Sequence, residues 1–275
     1  MNNFGKRVVT GLSLVAGMVI CVYWSSNSLF LLFLLLNFLG LWEFQTLLEP
    51  VLGRNKKQAF EEKMLLLLFG GILYTLTVQT FLGNLPSNSI ILILPIIFLL
   101  FIKELFSKAE RPFVNIAFDI TSLLYITIPC ILVNLIGNFE GTFSPNIIVG
   151  IFLLVWLNDS GAYFSGKWLG KTPLFKRISP KKTWEGYLGG TIVGFVAAFL
   201  LSRLFDDLTP NIWYGLAAIT SVFGSLGDLV ESLLKRSLGV KDSGDILPGH
   251  GGILDRFDAL LFSMPFVFAF VYLWG

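Results

Sequence analysis

Nine apolar stretches separated by polar connections leave this chain few ways to fold in water. They run approximately over 8–24, 29–45, 64–82, 89–106, 113–136, 147–166, 183–204, 212–234 and 253–275. A helix that crosses a bilayer needs about 20 mostly apolar residues, and each stretch is near that length. Composition agrees: 55% of the residues are hydrophobic, 27 are Phe, and only 14% are charged, where soluble domains average about 25%. The expected fold is therefore all-α: a polytopic integral membrane protein of about nine transmembrane helices, with no inserted soluble domain. The first run is longer than a secretory signal core of about 7–15 residues, so it is expected to be a retained span.

Net charge is only +2, and the placement of the charge says more than its sum. Of the 20 Lys and Arg residues, all but Arg203 fall on alternate connections between the stretches or at their ends. Cytoplasmic loops are the ones enriched in Lys and Arg. The N-terminus is thus expected on the cytoplasmic side, with the protein multi-pass in the cell inner (cytoplasmic) membrane. Cys21 and Cys130 both sit in apolar runs. With a single histidine in the chain they make neither a disulfide framework nor a Cys/His zinc site.

Carboxylates occur where a membrane span should not have them. The sixth stretch needs Asp159 to reach spanning length, the eighth reaches Asp228, and the ninth opens with Asp255 and Asp258. Ionisable groups in spans are expensive and usually functional. Asp255 and Asp258 are three apart and share a helix face, as do Asp228 and Glu231. Such a gathering calls for positive charge. A hard divalent cation held by oxygen ligands, Mg²⁺ first, meets the need. The alternative is that each Asp pairs with a neighbouring cation, for which Lys235, Arg236 and Arg256 are available.

The last two cytoplasmic connections are long and chemically rich. In 167–182, six cations accompany the run Ser179-Pro180-Lys181-Lys182-Thr183-Trp184-Glu185. Ser and Pro suit the start of a helix, and exposed helix N–H groups beside lysines suit a phosphate. The stretch that follows carries Gly186, Gly190 and Gly194, a spacing that permits close helix contact in lipid. Gly161-Ala-Tyr-Phe-Ser-Gly166-Lys167 imitates a phosphate-binding P-loop, but Trp168 stands where Ser or Thr is needed and no strand precedes it. The second connection, 239–252, holds five glycines and a proline, which bring the backbone close to whatever it surrounds. Lys241, Asp242, Asp245 and His250 project from it. The first half of the chain shows ordinary basic connections and reads as scaffold and lipid-facing surface.

Residues Ser232-Leu-Leu-Lys235-Arg236-Ser-Leu-Gly-Val-Lys241-Asp242-Ser-Gly244-Asp-Ile-Leu-Pro248-Gly-His250-Gly251-Gly252-Ile-Leu-Asp255-Arg256-Phe-Asp258 resemble the signature of the phosphatidate cytidylyltransferases, or CDP-diacylglycerol synthases. The upstream Asn158-Asp159-Ser-Gly161-Ala-Tyr163 and Ile178-Ser179-Pro180-Lys181-Lys182-Thr183-Trp184-Glu185-Gly186 resemble the same family, with Asn158 where Ser is more familiar. The motif-bearing likeness covers 155–258, and the first 140 residues are similar only in hydropathy.

The resemblance implies that CTP and phosphatidic acid give CDP-diacylglycerol and pyrophosphate in phospholipid biosynthesis, with Mg²⁺ required and a second cation allowed for. It implies a scaffold region over 1–140 and a catalytic region over 141–275 within one membrane domain. On this reading Asp228, Asp255 and Asp258 hold metal, with Asp159 as a weaker candidate, and Lys241 and His250 join the catalytic set. Lys167, Ser179, Lys181, Lys182, Thr183, Lys235, Arg236 and Arg256 meet substrate phosphates, and Asp242 shapes the nucleotide pocket. The expected partners are the two substrates and membrane lipid, with no nucleic acid; self-association into a homo-oligomer is left open. A transporter would favour carboxylates near the bilayer midplane and related halves, and a CTP-dependent lipid kinase would release CDP instead of pyrophosphate. The Asp-Gly-x-x-Ala-Arg core of the CDP-alcohol phosphotransferases is absent.

Overall fold

The computed structural model describes residues 3–275 apart from Arg54, Lys108, Glu140, Asp245 and 247–250, with side chains from residue 11 onward except Leu12. Among the described residues nine helices follow one another: α1 Asn3–Trp24, α2 Ser26–Leu52, α3 Lys56–Phe81, α4 Ser87–Phe106, α5 Pro112–Gly137, α6 Pro145–Leu169, α7 Trp184–Leu204, α8 Pro210–Ser237 and α9 Leu254–Trp274. Eight of them are long and apolar enough to cross a membrane, and in α1 the described apolar part is Ser13–Trp24. Each overlaps one of the nine apolar stretches. Three of the helices are not plain α-helix: α4 opens with a 3-10 segment at Ser87–Leu92, α5 contains a π-helical turn at Leu123–Thr127 and α8 another at Thr220–Gly224.

Local chemistry sets several of the ends. Ser25 and Ser28 form a reciprocal capping box at the start of α2, and Asn55 and Gln58 form one at the start of α3, each satisfying N–H groups that a helix leaves open. Gly53, at φ 62°, closes α2 in the left-handed conformation that glycine adopts without strain.

The chain divides into two compact units. Unit 1 comprises Met1–Gly141 and Ser243–Leu254; unit 2 comprises Thr142–Asp242 and Asp255–Gly275. In unit 1, α2, α3 and α5 pack around Phe33, Leu41, Tyr74 and Ile126, all almost fully buried. Small residues permit the approach: a Cβ on Gly40 would strike Ile126, and one on Gly71 would strike Phe38. Polar side chains tie the same helices. Thr127 Oγ1 donates to Asn37 Oδ1 at 2.7 Å, and Asn134 Nδ2 donates to the Tyr74 hydroxyl at 2.7 Å. In a membrane such bonds average about 0.6 kcal/mol each, so they select partners more than they stabilise.

The cations assigned to connections of this half are partly inside helices. α3 begins at Lys56, well before its apolar run, so Lys63 lies on the helix, buried, paired with Glu49 and donating to Thr46 Oγ1 at 2.8 Å. Lys103 lies within α4 and is also buried. Its Nζ reaches Glu62 at 2.5 Å, Asp119 at 2.7 Å and Glu104 at 3.1 Å. The first half therefore carries a buried charge cluster that composition alone did not separate from ordinary basic loops.

In unit 2, α6 and α7 lie closest. A Cβ on Gly190 would come within 2.6 Å of the Asn158 carbonyl oxygen, and one on Gly186 within 2.9 Å of the Ala162 carbonyl oxygen. α8 meets α9 by the same device: Gly215 faces the Phe270 ring, Gly227 faces Phe262, and the Phe223 and Phe266 rings stack at 3.5 Å.

Candidate functional site

The basic connection 167–182 folds into an antiparallel hairpin of β1 Pro173–Phe175 and β2 Ser179–Thr183, in register Pro173↔Thr183 and Phe175↔Ser179. Ser179 and Pro180, expected at a helix start, lie instead in this strand. The helix cap is Thr183, whose Oγ1 accepts from the Gly186 N–H at 3.1 Å. Trp184 N–H donates to the Thr172 carbonyl at 3.0 Å, and the Glu185 carboxylate accepts from the Lys171 and Thr172 N–H groups at 3.1 Å. Glu185 thus clamps the base of the hairpin, which fixes where β2 points its lysines.

Lys182 pairs with Asp228 on α8. One helical turn on, Glu231 pairs with Lys235, and Lys235 Nζ donates to Asp255 Oδ1, on α9, at 2.5 Å. Asp258 Oδ1 accepts from the Ala259 N–H at 2.8 Å and lies in the electrostatic field of Asp228, Glu231 and Asp159. Asp159, an exposed residue on α6, in turn feels Lys182 and Asp228. Three spans and a hairpin therefore bring five carboxylates and two ammonium groups into one neighbourhood.

Ionised, that set carries an excess of negative charge that Lys182 and Lys235 do not cancel. One oxygen, Glu231 Oε1, is buried without a hydrogen-bond partner. Uncompensated buried charge is unfavourable, and an all-carboxylate donor set matches a hard divalent cation. The donor chemistry fits Mg²⁺. The geometry is not that of a closed cage: Lys235 stands between Glu231 and Asp255. Among the described residues, the three carboxylates whose oxygens all lie within 4.8 Å of one another are Glu62, Glu104 and Asp119 in unit 1, and there the Lys103 ammonium pairs with all three.

Other residues singled out from the sequence lie elsewhere. Lys167 is exposed, with Nζ 6.0 Å from the centre of the Tyr163 ring. Arg236 Nη1 donates to the Val240 carbonyl at 3.0 Å, closing the turn that follows α8 through Gly239 at φ 71°. Lys181, Lys241, Asp242 and Arg256 are exposed. His250 and Asp245 lie outside the described residues.

One buried carboxylate of unit 1 went unread in the sequence. Glu43, in the middle of α2 and 2% exposed, accepts from Ser243 Oγ, from Ile253 N–H at 2.7 Å and from Leu254 N–H at 3.0 Å. The available signal was a single carboxylate inside an apolar stretch.

A model of the cytidylyltransferase family matches residues 5–274. The chain is 45% identical over 172 residues to a phosphatidate cytidylyltransferase of Staphylococcus haemolyticus (strain JCSC1435), covering 61% of this chain and 64% of that protein. It is 46% identical over 163 residues to the phosphatidate cytidylyltransferases of Staphylococcus aureus (strain COL) and Staphylococcus epidermidis (strain ATCC 12228 / FDA PCI 1200), covering 58% of this chain and 60% of each. The matched region spans about three fifths of the length of these curated relatives, 64% and 60%.

Proposed function

The chain belongs to the cytidylyltransferase family, and on that premise we propose that it transfers CMP from CTP to phosphatidic acid, giving CDP-diacylglycerol and pyrophosphate. The observation that carries the reading is the meeting of Asp159, Asp228, Glu231, Asp255 and Asp258 with Lys182 and Lys235. That arrangement suits the handling of polyphosphate at the end of a bundle of spanning helices. The relatives named phosphatidate cytidylyltransferase supply the substrate class.

In the reaction a phosphate oxygen of phosphatidate bonds to the α-phosphorus of CTP. The bond from that phosphorus to the bridging oxygen breaks, and pyrophosphate leaves with the electron pair. The nucleophile needs no strong base, because a phosphate monoester with a second pKa of about 6 is largely ionised at neutral pH. What remains is alignment and charge management. Asp228, Asp255 and Asp258 would hold Mg²⁺, which when bound offsets the charge of the CTP phosphates. Lys182, on a hairpin held by Glu185, is a movable ammonium for a substrate phosphate. Lys235, fixed by two carboxylates, orients Asp255. Lys181, Lys241, Arg236 and Arg256 extend the positive rim, and His250 with Asp242 completes the nucleotide side.

The same reading gives 1–140 to scaffold and 141–275 to catalysis. It places the N-terminus and the site on the cytoplasmic side of the cell membrane, because nearly all Lys and Arg share the connections of one side and CTP arrives from water.

The test is the full chain in lipid vesicles with CTP, phosphatidate and Mg²⁺, followed by product analysis. CDP-diacylglycerol and pyrophosphate are expected in equal amounts. Release of CDP with a phosphorylated lipid would replace the reading with a kinase, and no turnover of either substrate would overturn it.

A further inference from the structure

Glu43 holds both ends of the stretch 243–254, which carries four of the five glycines of the last connection. Ser243, where the connection enters unit 1, donates its hydroxyl to Glu43 Oε1. Ile253 and Leu254, where it leaves, donate their N–H groups to Oε2 at 2.7 Å and to Oε1 at 3.0 Å. Leu254 is the first residue of α9, so the carboxylate also sits at a helix N-terminus, where open N–H groups and the helix dipole favour negative charge. The glycines are part of the fit. A Cβ on Gly244 would come within 3.0 Å of the Glu43 carboxyl carbon, and one on Gly252 would overlap Glu43 Oε1 and Ser243 Oγ.

We propose that Glu43 is a positioning residue for the transfer reaction: a carboxylate of α2 that latches both ends of 243–254 and so fixes the backbone that leads into Asp255. The inference rests on the cytidylyltransfer reading. A carboxylate with two oxygens and several lone pairs can serve three donors at once, which an amide oxygen alone cannot. Buried in α2, it has no water to turn to, so the donors and the acceptor keep one another in place. The latched Leu254 stands one residue before Asp255, so any looseness there is delivered to a carboxylate the reaction needs aligned.

The experiment uses the full chain in vesicles and compares Glu43→Gln, Glu43→Asp and Gly252→Ala with the unaltered protein. Two readouts are taken: amide hydrogen exchange of the peptide spanning 243–254, and CDP-diacylglycerol formation resolved into kcat and KM. Misplacing reacting groups by about 1 Å costs on the order of 100-fold in rate, so Glu43→Gln and Gly252→Ala are expected to lower kcat 10- to 100-fold, by that same principle, with KM for CTP little changed. Exchange at Ile253 and Leu254 should quicken in both. Glu43→Asp keeps the charge and should recover part of both readouts. Unchanged exchange in Glu43→Gln overturns the latch whatever the enzyme does. Quickened exchange with normal kcat overturns its role in positioning. A wild-type chain that makes no CDP-diacylglycerol defeats the cytidylyltransfer reading instead, and the exchange result then still reports on the latch.

Discussion

Lys182 of the hairpin and Asp228 of α8 form an ion pair whose side chains remain 28% and 39% exposed. Partly exposed pairs of this kind contribute about 0–1 kcal/mol to stability. Under the proposed function, an ammonium held so lightly is expected to exchange its carboxylate for a substrate phosphate.

Replacing Lys182 should therefore separate activity from stability. Lys182→Gln is expected to lower kcat/KM for CTP or phosphatidate about 100-fold, equivalent to about 2.7 kcal/mol of lost transition-state binding, while the melting temperature in micelles shifts by no more than a few degrees. Lys182→Arg should keep most of the activity. A Gln variant with normal kcat/KM would remove Lys182 from the site.

Asp255 and Asp258 are predicted to differ although both begin α9. Asp255 shares a buried Lys235 with Glu231, and removing one partner of such a pair costs about 3–5 kcal/mol. Asp255→Asn should lose both activity and thermal stability. The hydrogen bond of Asp258 is to the adjacent Ala259 N–H, which an Asn side chain can still supply. Asp258→Asn should lose CDP-diacylglycerol formation while melting near the wild-type temperature. The pair is checked by running the vesicle assay and micelle melting curves side by side; equal stability losses would contradict the geometry.

How much of this was legible in the sequence depends on the range of the interaction. The nine helices were, eight of them of spanning length, because a span is a property of about 20 consecutive residues. Asp159, Asp228, Asp255 and Asp258 were visible as carboxylates in apolar company. The hairpin was not. β1 and β2 are three and five residues long, and Ser179-Pro180 imitates the helix start that Thr183 performs. Glu43 looked like one more polar residue in a span, since its meaning depends on Ser243, 200 residues away. Lys63 and Lys103 looked like loop cations because hydropathy marks where a span is apolar and not where its helix begins.

The glycines of α7 offer a graded test of the α6–α7 contact. A Cβ on Gly190 would press on the Asn158 carbonyl at 2.6 Å, whereas one on Gly194 would find its nearest neighbour, Asn158 Oδ1, at 3.8 Å. Gly190→Ala is expected to destabilise by about 1–3 kcal/mol through overpacking and to reduce activity by displacing Asp159 on α6. Gly194→Ala should be silent in both the melting curve and the assay.

Lys103 makes the buried cluster of unit 1 testable without reference to catalysis. Its ammonium meets Glu62, Glu104 and Asp119, whose oxygens lie within 4.8 Å of one another. Glu104 is further held by Ser107 at 2.8 Å and Asn115 at 3.1 Å, and Asp119 by Gln45 at 3.2 Å. Lys103→Met leaves these carboxylates in place with no cation, at a cost of about 3–5 kcal/mol for a broken buried pair. The vacated centre then has the oxygen donors of a divalent-cation site. Adding Ca²⁺ or Mn²⁺ should raise the melting temperature of Lys103→Met, because a ligand at 100 times its Kd adds about 2.7 kcal/mol. The wild type should shift less, only through the cation site proposed at Asp228, Asp255 and Asp258, because at this cluster the ammonium already fills the role. Thermal melting of both proteins over a cation series decides it: equal shifts in the two would mean that Lys103 is not the built-in counter-charge.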